Sequence, residues 1–167
     1  MTYHYTMCGL NYVYLANGYQ SHETDYGQGV SIKSADALDR SIAITVLLSH
    51  ARLRGQEVRF LRSLLHMSQT DLANHLGIKR ITVVRWERTP NTPIPGPADR
   101  VIRVLADARL FERRYADAVV ALFPEITDVR PMDMLMIYVP HEHETAPSLF
   151  PDHDGAAPEG WRPKRAA

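Results

Sequence analysis

The sequence predicts an α+β protein: a small N-terminal antiparallel sheet with one helix, followed by an all-α unit of five helices. Three observations predict it. Strand-like patterning fills Thr2 to Ile32, helical periodicity runs from Gln56 to Phe123, and beyond Pro124 that regularity is lost. Three segments are therefore expected: 1–50 as a β-rich domain with a helix, 51–123 as a helical domain, and 124–167 as a partly flexible extension.

In the first segment Tyr3, Tyr5 and Met7 alternate with Thr2, His4 and Thr6, and aromatic and β-branched residues continue through Tyr12–Leu15. Asn17-Gly18 accepts the positive φ angles of a tight turn, so Tyr12–Leu15 should pair with Tyr19–His22, and Gly27–Ile32 should add a strand. Ser34 then offers an N-cap for a helix from Ala35 to about Ser49, with Leu38, Ile42 and Val46 on one face. Further helices are expected over Gln56–His66, Ser68–Leu76, Lys79–Arg88, Pro97–Leu110 and Phe111–Phe123. Gly96-Pro97 suits a first helical turn, and Asp99 sits near its positive end. Met134–Val139 reads as a late strand. His141–Gly160, rich in Pro, Asp, Glu and Gly, reads as a flexible tail, in which the following Trp161 is out of place.

A chain of 167 residues with 45% hydrophobic content can bury one ordinary core, or one core plus a small appended unit. No run approaches the ~18 apolar residues of a membrane span, and Met1-Thr-Tyr-His lacks the basic start of a secretory signal, so a cytoplasmic, soluble protein is expected. The single cysteine, Cys8, forms no internal disulfide and no multi-cysteine zinc site. The zero net charge averages unlike segments. Residues 1–50 carry two bases against four acids, residues 51–114 thirteen Lys or Arg against six acids, and residues 115–167 four bases against nine acids. A basic block confined to one segment is what a phosphate-binding surface would show, although an Arg-rich solvated helical surface would show it too.

Within that block, Ser68-Gln-Thr-Asp-Leu-Ala-Asn-His-Leu-Gly-Ile-Lys-Arg-Ile-Thr-Val-Val-Arg-Trp-Glu87 reads as a helix-turn-helix. Ser68 and Asp71 form a capping-box pair, Leu72 and Leu76 give a buried side, and Gly77 permits the left-handed turn that ends the helix. Val83 and Trp86 lie three apart and should point into the core. Arg80, Ile81, Val84, Arg85 and Arg88 then share the opposite stripe. Such a stripe suits the major groove, where Arg reads guanine and apolar side chains meet the thymine methyl. Expected base contacts are Arg80, Ile81, Thr82, Val84 and Arg85. Expected phosphate contacts are Arg52, Arg54, Arg62, Gln69, Thr70, Lys79 and Arg88.

Residues 56–110 resemble the lambda-repressor-like, XRE-type helix-turn-helix family in Ser68-Gln69, Leu72-Ala73, Leu76-Gly77-Ile78, Val83 and Trp86-Glu87. The wider arrangement, with Tyr3–Gly9 and Asn17-Gly-Tyr19 before and Ile94–Arg100 after, is similar to bacterial regulators related to the MqsA-type antitoxins. The resemblance implies a five-helix lambda-repressor-like domain, transcription regulation, and a homodimer on an inverted-repeat operator in double-stranded DNA. A repressor is the first expectation; the alternative is an antitoxin that autoregulates its operon and holds a toxin partner. An N-terminal enzyme or ligand-sensing domain tethered to DNA is a third, distinct possibility. Those antitoxins bind zinc through paired cysteines, absent here, and Lys79 replaces the small polar cap of many relatives.

No metal, no cofactor and no catalysis are expected. His4, Cys8 and His22 lack the four ligands and spacing of a zinc site, and His141, His143 and His153 sit among acids in the expected tail. No glycine-rich phosphate loop, G-x-S-x-G or H-E-x-x-H occurs, and capping or solvation accounts for Asp36, Asp39 and Glu57.

Overall fold

The computed structural model describes residues 2–25, 27–127, 132–139 and 161–164. Its strands are β1 (Tyr3–His4), β2 (Val13–Leu15), β3 (Tyr19–Thr24), β4 (Gly27–Ile32), β5 (Leu135–Tyr138) and β6 (Arg162–Lys164). Its helices are α1 (Ala35–Leu47), α2 (Gly55–Leu64), α3 (Gln69–Leu76), α4 (Arg80–Arg88), α5 (Gly96–Leu110) and α6 (Ala116–Ala121). The protein is thus mixed α+β, as its patterning predicts. Two compact units emerge: a β-rich one from residues up to Thr6, Asn11–Ile42 and Met134 onward, and a helical one from Met7–Leu10 and Ala43–Asp133. They do not follow the expected segments 1–50, 51–123 and 124–167, because the late strands join the early ones.

In the β-rich unit, one sheet has the order β1-β2-β5-β6 and a separate ribbon pairs β3 with β4. β2 runs antiparallel to β1 and parallel to β5, with Val13 opposite Leu135 and Leu15 opposite Ile137. All four are buried while Tyr14 and Met136 are half-buried, the alternation that a sheet with one covered face imposes. Leu38 and Ile42 of α1, with Tyr5, Tyr12 and Trp161, complete this core. The expected hairpin between Tyr12–Leu15 and Tyr19–His22 does not form. Gly18 does take a positive φ of 76°, but the Asn17 amide binds the Val139 backbone on both sides, donating to its oxygen (2.9 Å) and accepting from its nitrogen (2.7 Å). Asn17 thereby joins the end of β2 to the residue that follows β5 instead of turning the chain back. β3 pairs with β4 from Tyr19 opposite Ile32 to Thr24 opposite Gly27.

Trp161 is 1% exposed, its indole donates to Lys33 O at 2.9 Å, and Ser41 Oγ donates to Trp161 O. The ring fills the space where a Gly18 Cβ would stand, 2.5 Å from its nearest carbon. The expected flexible tail, with His141, His143 and His153, lies outside the described residues. Ser34 stands just before α1 as expected and its backbone oxygen accepts from Leu38 N at 3.0 Å, but with φ +51° its backbone is left-handed rather than the extended form usual at an N-cap.

Tyr5 donates to Asp39 Oδ1 at 3.3 Å, yet burial, reinforced by the nearby Asp36 charge, raises the Asp39 carboxyl above its ordinary 3.8. A folded pKa above the unfolded one adds stability below 3.8, and that stability is lost as pH rises through the folded value. Asp39→Asn should therefore lose less stability than the parent as pH rises from about 3 to 7. Parallel melting profiles of the two proteins over that range would refute the assignment.

In the helical unit, the carbonyls of the segment after α4 complete the start of α2: Gly55 N donates to Thr92 O and Gln56 N to Pro90 O. Arg54 bridges Pro93 antiparallel, and Ile94 N donates to Leu53 O. These bonds satisfy helix-end donors that would otherwise be orphans. They also fix the end of α4 against the start of α2. α6 is shorter than the expected Phe111–Phe123 because Glu112 and Arg113 adopt positive φ and Asp107 Oδ1 accepts from Tyr115 N, making residues 111–115 a turn. Asp99 lies in the first turn of α5 as expected, and it is fully buried there, paired with Arg103 and accepting from Leu53 N.

Candidate nucleic-acid interface

The geometry of α3 follows from its first and last residues. Ser68 Oγ accepts from Asp71 N at 3.1 Å and Asp71 Oδ2 accepts from Ser68 N at 2.8 Å, a reciprocal cap that also lowers the Asp71 pKa. At the other end Gly77 takes φ 65°, ψ 31°, and Ile78 N donates to Ala73 O and Gly77 N to Asn74 O, which satisfies the last carbonyls and redirects the chain. α4 starts two residues after Ile78. α3 and α4 pack on each other, α2 packs on α4, and α3 touches α5.

Val83 is the residue of α4 that this packing buries completely. Trp86, expected in the core beside it, is half-buried, so that expectation is corrected. Opposite Val83, Ile81, Arg85 and Arg88 are exposed; Arg80 is exposed in the first turn, and Thr82 and Val84 are half-buried. Ile81 is 57% exposed, an uncovered apolar side chain among guanidinium groups. Arg85 extends from this face without a side-chain partner among the described residues. Lys79 stands in extended backbone at the N-cap without a side-chain cap bond, and Thr70 is exposed on the first turn of α3.

The expected phosphate contacts divide. Arg54 is 7% exposed: Nη2 donates to Glu57 Oε1 at 2.7 Å, and Glu57 in turn accepts from Arg54 N. A guanidinium so engaged is structural, and Arg54 is withdrawn as a phosphate contact. Arg52 is half-buried, with Nη1 donating to Ile94 O. Arg62 grips Glu87 through Nε (2.6 Å) and Nη2 (3.0 Å) and donates to Met67 O. Glu87 Oε2 also accepts from Gln69 Nε2 at 2.9 Å, and Gln69 Oε1 accepts from Arg80 Nη2 at 3.2 Å. Arg80, expected to read a base, is thus turned toward α3.

This chain of contacts lines an open groove of about 380 Å³, completed by Arg59, Val84 and Arg88. Arg59 was missed by sequence reading; it is exposed and stands three residues before Arg62, the spacing that places both on one face of α2. Three carboxylates of the basic segment are consumed by Arg54, Arg62 and Arg103. Of its thirteen bases and six acids, ten bases and three acids remain outside these pairs, so the excess of seven bases is unchanged.

Among the described residues no group of three or more His, Cys, Asp or Glu is placed to hold a metal ion. His4 donates to Asn11 O and stacks on Tyr14, while His22 shares a hydrogen bond with Ser31 in the other sheet. No helix among these residues is long and apolar enough to cross a membrane. Comparison with protein-family models, with curated proteins and with solved structures finds no match.

Proposed function

We propose that the protein binds specific double-stranded DNA and acts in the cytoplasm as a transcriptional regulator, a repressor that occupies an inverted-repeat operator as a dimer. The observation that carries this reading is the outward face of α4, where Ile81 is 57% exposed beside the exposed Arg85, whose side chain has no partner among the described residues. An isolated apolar residue is ordinary on a surface, but one set among arginines on the second helix of a helix-turn-helix matches what a major groove offers: guanine acceptors and thymine methyls. The five helices α2 to α6 are taken as a lambda-repressor-like domain, supported by the reciprocal cap at Ser68 and the left-handed turn at Gly77. The exposed Thr70, Lys79 and Arg88 serve the backbone phosphates. One such helix covers too few bases for strong selectivity, so two copies should span half-sites about one helical turn, roughly 34 Å, apart.

Selection of bound duplexes from a random pool should return an inverted repeat. On that sequence Arg85→Ala should cost ~1–3 kcal/mol and relax the choice of base at one position, with its melting temperature unchanged. Equal affinity of parent and variant, with the same base preference, would overturn the groove-facing assignment of α4.

A further inference from the structure

The groove between α2, α3 and α4 has an electrostatic composition that base reading does not explain. Its one carboxylate, Glu87, has both oxygens occupied, by Arg62 and by Gln69. Gln69 donates from its amide nitrogen to Glu87 and accepts at its amide oxygen from Arg80, so both ends of its amide are engaged in the wall of the groove. What remains facing the groove is the guanidinium charge of Arg59, Arg80 and Arg88. Among the described residues Arg59 and Arg88 have no carboxylate partner, and the partner of Arg80 is a neutral amide. Three like charges around one concavity repel each other, and an anion relieves that repulsion. The first turn of α3, which starts at Gln69, adds the positive end of a helix dipole.

We infer that this groove is a phosphate subsite in which Arg59, Arg80 and Arg88 bind the oxyanion, and the Glu87–Arg62–Gln69 chain is a positioning device that turns Arg80 into it. Glu87 neutralises Arg62 and orients Gln69, and Gln69 holds Arg80 away from the outward stripe of α4. This assigns Arg80 to a phosphate rather than to a base and adds Arg59 to the interface. The shared chemistry is a phosphate group, carried either by the DNA backbone or by a free diphosphate-bearing ligand. The inference rests on the DNA-binding reading only for the first of these sources.

The test uses the full chain without DNA and inorganic pyrophosphate as the probe, by titration calorimetry at constant ionic strength. Pyrophosphate should bind, the double substitution Arg59→Ala/Arg88→Ala should weaken it at least tenfold, and Arg109→Ala, an exposed arginine outside the groove, should leave it unchanged. Gln69→Ala, which releases Arg80 without removing charge, should weaken it by a smaller factor; a loss in this variant is not expected from charge alone. Thermal melts show whether each variant is folded, and Arg88→Ala alone replaces the double variant if that one unfolds. No binding by the parent, or equal weakening by Arg109→Ala, overturns the subsite. A selected duplex that competes with pyrophosphate identifies the DNA backbone as the source. Pyrophosphate binding with no duplex bound at all upholds the subsite for a free ligand while the DNA-binding reading fails.

Discussion

Arg103→Ala should lose about 3–5 kcal/mol of stability, enough to remove a large part of what holds a domain of this size together. The Arg103 side chain is completely buried, and every nitrogen of its guanidinium is used. Nε donates to Asp99, Nη1 to the carbonyls of Val46, Leu47 and Ser49, and Nη2 to that of Ala51. The last turn of α1 ends in carbonyls with no helical partner, and Arg103 supplies their donors and a favourable charge together. Burial lowers its pKa and Asp99 opposes that shift; an arginine keeps its proton throughout. Removing it would strand several acceptors and leave Asp99 ionised in an apolar interior. Arg103→Lys should recover little, since one ammonium group cannot reach both Asp99 and the loop carbonyls. Urea denaturation of parent and variants measures the loss; a difference under about 1 kcal/mol would show that the network contributes little net stability.

Gly55→Ala should also destabilise, by about 1–3 kcal/mol, although helix propensity alone predicts the opposite sign. An added Cβ would lie 2.7 Å from Thr89 O and closer still to Trp86 O. Both obstacles are main chain, which cannot rotate aside as a side chain would. The start of α2 and the end of α4 must therefore separate, straining the bonds from Gly55 to Thr92 and from Gln56 to Pro90. Because α4 is the proposed reading helix, affinity for a selected duplex should fall along with the melting temperature. A melting temperature equal to or above that of the parent would show that α4 has room to move.

The parts of the fold legible in the sequence are those encoded over short stretches. The reciprocal Ser68–Asp71 cap, the turn at Gly77 and the burial of Val83 need only the residues around them, and α3 and α4 form within a residue or two of expectation. Pairing of β2 with β5 carries no local signature. The Asn17–Val139 bonds join positions 122 residues apart, and Asn17-Gly18, which locally reads as a hairpin turn, is diverted by them. Met134–Val139 was legible as a strand, though not its partner, and the oddity of Trp161 in a polar stretch was the trace of β6. At the candidate site the error lay in counting arginines without locating them. Arg54 and Arg103 look like any other base in a sum, yet Glu57 stands three residues from one and Asp99 four from the other. Those spacings, read as ion pairs, would have removed both from the phosphate-binding tally. Arg62 escaped even that test, because its partner Glu87 lies on another helix.

The placement of β5 and β6 has a consequence for the order of folding during synthesis. Among the described residues the last helix, α6, is complete once Ala121 has been made. The β1-β2-β5-β6 sheet cannot close until Leu135 and then Arg162 leave the ribosome. At ~5–20 residues per second, the 122 residues from Asn17 to Val139 take roughly 6–24 s. Throughout that interval Val13 and Leu15 wait with their outer strand edge unpaired, so the nascent β-rich segment, rather than the helical unit, is where premature pairing with another chain would begin.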